Sequence, residues 1–143
     1  MTRSPATTGS SKRPVRVCVT GGREWKDWRY VWRCINQFER EYSVEIVELG
    51  QGEARGVDTF AKKWAKAAGV PTKDYPADWD RYGESAGGIR NGEMLEDFRP
   101  DYLLVFPGGT GTSDCTRKAR KMKIERILYN EPVDTFAEAA KWG

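Results

Sequence analysis

The stretch of sequence best suited to chemistry is a glycine-rich segment, V105-F-P-G-G-T-G-T-S-D-C115. An apolar strand pattern precedes it and a helical pattern follows it. Glycine has no Cβ, so backbone N–H groups can approach an anion there, and the following helix adds its unpaired amides and positive dipole end. The segment therefore predicts a phosphate-binding loop made of Pro107, Gly108, Gly109, Thr110, Gly111 and Thr112.

This loop matches neither of two common nucleotide fingerprints. A P-loop ends in Gly-Lys-Ser/Thr, and G-x-G-x-x-G is expected after the first strand of its fold. Glycine is also the usual residue of tight turns, so a purely structural turn is the alternative. Replacing Gly109 with valine separates the two, because a phosphate cradle needs close backbone approach and a valine would block it without unfolding the protein.

Three other predicted strand-to-helix loops carry residues that suit a nucleotide. They are T20-G-G-R-E-W-K-D27, G50-Q-G-E-A-R-G-V-D58 and Y75-P-A-D-W79. Guanidinium groups suit phosphate or carboxylate, and a carboxylate can accept a ribose hydroxyl. The candidate ligand-binding residues in these loops are Gly21, Gly22, Arg23, Gly52, Arg55, Asp58 and Asp78. Either Asp58 or Asp78 would receive the hydroxyl, and the alternative for Asp58 is that it only complements a helix dipole.

A later helical pattern adds Arg90 and Asn91 to the ligand-binding candidates. If the start of that helix faces the strand ends, Arg90 is a second cationic clamp. Otherwise it is a solvated arginine. Trp25, Trp79 and Tyr82 lie outside the core-facing patterns, so they either stack on a base or cap the core.

Composition removes several classes of chemistry. The chain has no histidine, which excludes Ser/His and Cys/His nucleophile pairs and most zinc sites, and we predict no metal site. Three cysteines, Cys18, Cys34 and Cys115, include no C-x-x-C pair and suit a reducing compartment.

Charge and hydropathy limit the expected partners. The net charge is +3, but the first 13 residues hold three basic residues and no acid, which leaves 21 basic residues against 21 acidic ones. Outside the first 13 residues the sequence therefore has no excess of positive charge that would indicate binding of a long nucleic acid. The longest apolar run, Y102-L-L-V-F106, is far shorter than the roughly 20 residues of a membrane span. With no apolar signal core near the N-terminus, the expectation is a cytoplasmic protein with no membrane partner.

The order of the patterns predicts the fold. Strands are predicted at 15–20, 44–49, 72–75, 101–106 and 124–128, and helices at 28–41, 57–68, 86–98, 113–122 and 134–142. Alternation of this kind is typical of an α/β protein. We therefore predict a flexible tail over residues 1–13 and, over 14–143, a single Rossmann-like three-layer domain with a mostly parallel sheet of about five strands.

Five segments in order resemble the SLOG superfamily, most closely its YspA/YpsA-related branch of bacterial and phage proteins. They are V19-T-G-G-R-E-W-K-D27, G52-E-A-R-G-V-D-T-F-A-K-K-W-A65, Y75-P-A-D-W79, A86-G-G-I-R-N-G-E-M-L95 and the run P-D-Y-L-L-V-F-P-G-G-T-G-T from Pro100 to Thr112. The resemblance implies a Rossmann-like fold, a nucleotide or nucleotide-derived ligand, no required cofactor, and a dimer or tetramer.

The glycine loop is also similar to that of the Lonely Guy phosphoribohydrolases, P-G-G-x-G-T-x-x-E. In that family the glycines hold a nucleoside monophosphate and the glutamate helps to cleave off the base. Here Cys115 stands at the glutamate position, and R90-N-G-E-M94 matches the family's arginine element with Asn91 in place of lysine. The resemblance thus implies a phosphate cradle without the catalytic carboxylate. The catalytic candidates are Asp114, which could replace the missing acid, Arg90 and, as a low-pKa thiol or else a buried small side chain, Cys115.

A second relative by resemblance is the DNA-processing protein A family, which is similar at G52-E-A-R-G-V-D58 and binds single-stranded DNA. The balanced charge argues against that activity. The leading prediction is therefore a module that binds a nucleotide or nucleotide-derived signal. The alternatives are a nucleoside 5′-monophosphate phosphoribohydrolase, which is an N-glycosidase, and a single-stranded DNA-binding protein.

Overall fold

Five strands form one sheet at the centre of the computed structural model, which describes residues 12–129. Numbered along the chain, they are β1 Arg13–Thr20, β2 Val44–Gln51, β3 Thr72–Asp74, β4 Tyr102–Val105 and β5 Glu125–Leu128. All neighbouring strands run parallel, in the spatial order β3-β2-β1-β4-β5. The last four residues of β1 are buried on both faces and β4 is mostly buried, as expected for strands that helices cover on both sides.

Helices cover both faces of this sheet. They are α1 Trp28–Tyr42, α2 Val57–Ala68, α3 Trp79–Tyr82, α4 Ala86–Phe98 and α5 Thr110–Lys121, and a 3-10 turn at Gly83–Ser85 joins α3 to α4. Val17 and Val19 of β1 belong to the apolar cluster that includes α1 and α2, whereas Cys18 belongs to the cluster of α4 and α5. Because alternate side chains of a strand point to opposite faces, these clusters are two separate layers. The predicted Rossmann-like three-layer fold is confirmed.

The order of the strands positions the functional loops. The chain builds β1, β2 and β3 towards one edge, and α4 then carries it back across the sheet to β4 and β5. Connections from β1 and β4 therefore leave on opposite faces of the sheet. A crevice opens where neighbouring strands diverge in this way, at their carboxyl ends, and it is the usual ligand site of open α/β sheets.

Helix α1 shows how local sequence sets an element boundary. Asp27 precedes the helix, and its carboxylate accepts a hydrogen bond of 3.1 Å from the backbone N–H of Tyr30. At the other end Ser43 takes a left-handed conformation with φ 53° and its N–H bonds back to Arg40. Both ends satisfy backbone groups that a helix cannot satisfy internally.

Asp27→Ala is expected to destabilise the fold by about 1 kcal/mol, the usual cost of losing an N-terminal cap. Asp27→Ser, which retains an acceptor oxygen, should stay within a few tenths of the wild-type value. Urea denaturation followed by far-ultraviolet circular dichroism measures both. Equal destabilisation by alanine and serine would contradict a capping role for Asp27.

Element boundaries differ from the predictions in two places that matter for the site. Helix α5 begins at Thr110, three residues before the predicted start, so Thr110, Gly111 and Thr112 form its first turn rather than a loop. Threonine and glycine are weak helix formers, which hid this turn from the sequence pattern. The short helix α3 was not predicted.

The predicted helix at 134–142 and most of the predicted tail lie outside the described residues. Across residues 12–129, none of the helices has the length and apolarity needed to cross a bilayer.

Candidate functional site

An open cavity of about 980 Å³ lies at the carboxyl ends of the strands. We call it the main cavity. Loops after β1, β2 and β4 form its floor, and the start of α4 and the first two turns of α5 form its walls. Its volume is at the upper end of the range for small-molecule sites. The crevice expected from the strand order is therefore present.

Two glycines of the floor, Gly21 and Gly22, and the neighbouring Gly108 are held in close packing. The N–H of Gly22 donates to Pro107 O at 2.8 Å, which ties the β1 loop to the β4 loop, and a Cβ on Gly22 would lie 3.0 Å from that oxygen. A Cβ on Gly21 would lie 2.6 Å from Val57 Cγ2, and a Cβ on Gly108 would collide with Thr112 Oγ1. Close packing alone explains why these three positions are glycine.

Gly109 and Gly111 differ, because a Cβ at either position would meet no atom within 4 Å. Both line the main cavity at the N-terminus of α5. No side chain caps this helix, so its first N–H groups have no intrahelical partner. An uncapped helix start beside two glycines is the arrangement that binds anions through the backbone.

Asp58, in the first turn of α2, is a buried carboxyl group on the cavity floor with 6% of its surface exposed. Its Oδ2 accepts hydrogen bonds from the N–H groups of Gly52 at 3.2 Å and Ala54 at 3.3 Å. Burial raises the pKa of Asp58 to about 6, against the opposing effects of Arg90, these two amides and Arg23. The group is therefore a carboxylate at neutral pH but takes up a proton more readily than an ordinary aspartate.

Arg90, in the second turn of α4, joins this helix to the ends of β2 and β3. Its Nη1 donates to Gly52 O and, at 3.2 Å, to Tyr75 O, while its Nε donates to Asn91 Oδ1 at 3.0 Å. Burial lowers the pKa of Arg90, and Asp58 partly offsets this effect. Arg90 lines the main cavity, as the prediction of a cationic clamp requires. However, two of its three nitrogens, Nε and Nη1, already donate hydrogen bonds within the protein.

Asp114 and Asn91 connect α5 to α4. Asn91 Nδ2 donates to Gly111 O at 3.0 Å and to Asp114 Oδ2 at 3.1 Å. Asp114 also receives Lys118 Nζ at 2.9 Å and Arg117 Nη2 at 2.8 Å. Burial opposes ionisation of Asp114, but Lys118, Asn91 and Arg117 outweigh it and lower its pKa. Asp114 is thus an ionised, immobilised carboxylate and not a proton donor at neutral pH.

Cys115 is fully buried, among the apolar side chains of α4, β4 and α5. Burial raises the pKa of its thiol to about 12, despite a hydrogen bond with Thr20 that lowers it. The predicted low-pKa nucleophile is therefore wrong, and the alternative of a small buried side chain is correct. Nearness to a helix N-terminus could not offset the loss of solvent.

Four predicted ligand residues do not line the main cavity. Arg55 is an exposed side chain that pairs with Glu24 at 2.6 Å. Asp78 caps α3, where its carboxylate accepts from Arg81 N at 3.2 Å. Pro107 and Gly108 line a second cavity of about 380 Å³ on the other side of the β4 loop. The other predicted positions line the main cavity, namely Gly21, Gly22, Arg23, Gly52, Asp58, Arg90, Asn91, Gly109, Thr110, Gly111 and Thr112.

Of the three candidate stacking aromatics, only Trp79 lines the cavity. It is 46% exposed, and the guanidinium of Arg23 lies 4.9 Å from its ring centroid. Trp25 instead packs against Tyr30 with ring centroids 5.6 Å apart, which is the core-capping alternative. Tyr82 does not line the main cavity.

The sequence predictions missed two cationic lining residues, Arg117 and Lys118. Their spacing of three and four residues after Asp114 places them on the same helix face, which was the available signal. Among residues 12–129, no group of three or more His, Cys, Asp or Glu side chains could hold a metal ion.

The fold and the cavity together define a Rossmann-like α/β protein with an open cavity at the carboxyl edge of its sheet. The profile of the YspA, cpYpsA-related SLOG family matches residues 15–82. The Gene 61 protein of Mycobacterium phage D29 is 36% identical over 125 residues, which cover 81% of this chain and 97% of that protein. The chain belongs to this SLOG family.

A crystal structure of UDP-N-acetylglucosamine 2-epimerase is similar in fold. It matches 82% of this chain with a TM-score of 0.53 and 14% identity. The match spans only 32% of the epimerase chain. Family membership and the Rossmann-like fold together suggest a nucleotide-related ligand.

Proposed function

We propose that this protein binds a nucleotide or a nucleotide-derived small molecule in the main cavity, with a phosphate group at the N-terminus of α5. The observation that carries the proposal is the uncapped start of that helix at Gly109, where two glycines leave open space facing the cavity. Backbone N–H groups and the helix dipole favour an anion there.

Cationic side chains support the same assignment. Arg23 lies on the cavity floor, Arg90 lies on the wall formed by α4, and Arg117 and Lys118 lie on the wall formed by α5. Asp114 neutralises part of the charge on that wall, so the backbone amides of α5 remain its main feature for an anion. Exposed Trp79 at the cavity edge offers a flat surface on which a base can stack.

N-glycoside hydrolysis is the second candidate, and one observation favours it. Asp58 and Asp114 line the same cavity with pKa values displaced in opposite directions, up for Asp58 and down for Asp114. A pair of carboxyl groups of this kind can divide the roles of proton donor and charge stabiliser. Asp58, not the predicted Asp114, would then be the acid.

The test is equilibrium dialysis of the purified protein against a mixed nucleotide pool, with mass spectrometry of both compartments. The proposal expects one nucleotide or nucleotide derivative to be enriched intact on the protein side. Release of a free base, abolished in Asp58→Asn, would establish the hydrolase instead. No retention and no turnover of any nucleotide would reject both functions.

Homo-oligomer formation stays a prediction, and size-exclusion chromatography with light scattering tests it.

A further inference from the structure

The buried carboxyl group of Asp58 uses only one of its two oxygens within the protein. Both of its hydrogen bonds, from the amides of Gly52 and Ala54, go to Oδ2. Among residues 12–129, no donor bonds to Oδ1, although the side chain is 94% buried and lines the main cavity. A carboxylate oxygen with this burial needs a partner from the cavity, because an unsatisfied buried acceptor is costly.

The charges around Asp58 indicate which kind of partner fits. Arg90 from α4 and Arg23 from the β1 loop both act on this carboxyl group electrostatically, and the thiols of Cys18 and Cys115 are the other titratable groups close enough to interact with it. Since two guanidinium groups already supply positive charge, a cationic ligand group is disfavoured. A neutral O–H donor suits Oδ1 and keeps the local charge balanced.

The position of Asp58 relative to α5 indicates where on the ligand this hydroxyl lies. Strand β1 separates β2 from β4, so the Asp58 side of the floor lies about 10 Å from the start of the β4 loop, at roughly 4.8 Å for each strand. That span is comparable to one nucleotide. With a phosphate at Gly109–Thr112 and a base near Trp79, the group that connects phosphate and base is the sugar.

We propose that the main cavity selects ribonucleotides over deoxyribonucleotides, through a 2′-hydroxyl that donates its proton in a hydrogen bond to Oδ1 of Asp58. This inference rests on the proposed function and names the ligand class within it. The same contact would discriminate against DNA, because the 2′-hydroxyl is the group by which a protein distinguishes RNA from DNA.

The test compares AMP, GMP, CMP and UMP with their 2′-deoxy and 3′-deoxy forms by isothermal titration calorimetry at pH 8, where Asp58 and the phosphates are ionised. For the ribonucleotide that binds, its 2′-deoxy form is expected to bind at least tenfold more weakly, since it leaves Oδ1 buried without a donor, and also more weakly than the 3′-deoxy form, which retains the 2′-hydroxyl. In Asp58→Ala this selectivity should fall to within about twofold of unity.

Two further variants make the test independent of folding problems. Asp58→Asn keeps an acceptor for the amides of Gly52 and Ala54, and its selectivity should fall as well, because the atom that faces the cavity is then an uncharged NH₂ donor instead of a carboxylate acceptor. Asp78→Asn is the matched control. Asp78 was the other predicted hydroxyl acceptor but does not line the cavity, so this variant should keep the wild-type selectivity.

The outcomes separate the two proposals. Equal affinity of wild-type protein for the ribo and 2′-deoxy forms would overturn the inference while the proposed function stands. Selectivity that persists in Asp58→Ala, or disappears in Asp78→Asn, would also overturn the role of Asp58. Failure of all four ribonucleotides to bind counts against the inference, and if the mixed pool also shows no retention, it rejects the proposed function as well.

Discussion

Gly109→Val is expected to weaken ligand binding on the order of 100-fold or more while the protein remains folded. The side chain would project from the N-terminal cap position of α5 into the main cavity, where a Cβ meets no protein atom within 4 Å. It would keep a phosphate away from the free N–H groups of the first turn. Each hydrogen bond to a charged group is worth about 1.5–3 kcal/mol, so losing two gives an effect of this size.

Gly92→Val is the matched control for this experiment. Gly92 lies in α4, a Cβ there would also meet no atom within 4 Å, and the residue does not line the main cavity. Binding of the retained nucleotide should therefore be unchanged in this variant. The two unfolding midpoints in urea check that both proteins are folded; we expect Gly109→Val to cost about 1 kcal/mol through the poorer cap. Unchanged affinity in a folded Gly109→Val protein would remove the phosphate site from α5.

Asp58→Asn is expected to remove a pH dependence of stability worth up to about 3 kcal/mol. The pKa of Asp58 is raised from its ordinary value of 3.8 to about 6 in the folded protein, mainly by burial. Between these two pH values the folded state binds a proton that the unfolded state releases, so the free energy of unfolding falls as pH rises. At about 1.4 kcal/mol for each pH unit, the loss is about 3 kcal/mol by pH 7.

The comparison of the two proteins isolates this carboxyl group. Asparagine can still accept from the amides of Gly52 and Ala54, but it does not titrate. Carboxyl groups with lowered pKa, such as Asp114, act in the opposite direction in acid and are common to both proteins. The free energy of unfolding of Asp58→Asn minus that of wild type should therefore rise between pH 4 and pH 7. Urea denaturation at intervals across that range measures it, and a flat difference would contradict the raised pKa.

Most of the fold could be predicted from hydrophobic pattern. Helix α1 has a regular apolar stripe that includes Val31, Ile35 and Phe38, and β4 is an uninterrupted apolar run, so both were placed within a residue or two. Helix α3 and the first turn of α5 were missed. Their residues carry no apolar stripe, so hydrophobic periodicity gave no signal for either.

The candidate site could be predicted by location but not by role. Glycines and arginines after successive parallel strands had to meet at one edge of the sheet, and the main cavity lies there. Which residues face it depended on side-chain contacts between distant segments. Arg55 pairs with Glu24 at the surface, and Asp78 caps helix α3.

The sequence by itself determined the alternation of strands and helices, the parallel sheet and the glycine-rich segment after β4, because these follow from periodicity and from the backbone freedom of glycine. Only the tertiary structure decided the state of the titratable groups. Asp58 and Cys115 both have raised pKa values because distant segments exclude water from them, whereas Asp114 has a lowered pKa because Lys118, Asn91 and Arg117 reach it. Desolvation and charge pairing depend on the three-dimensional surroundings of a group, which residue types and spacing do not specify.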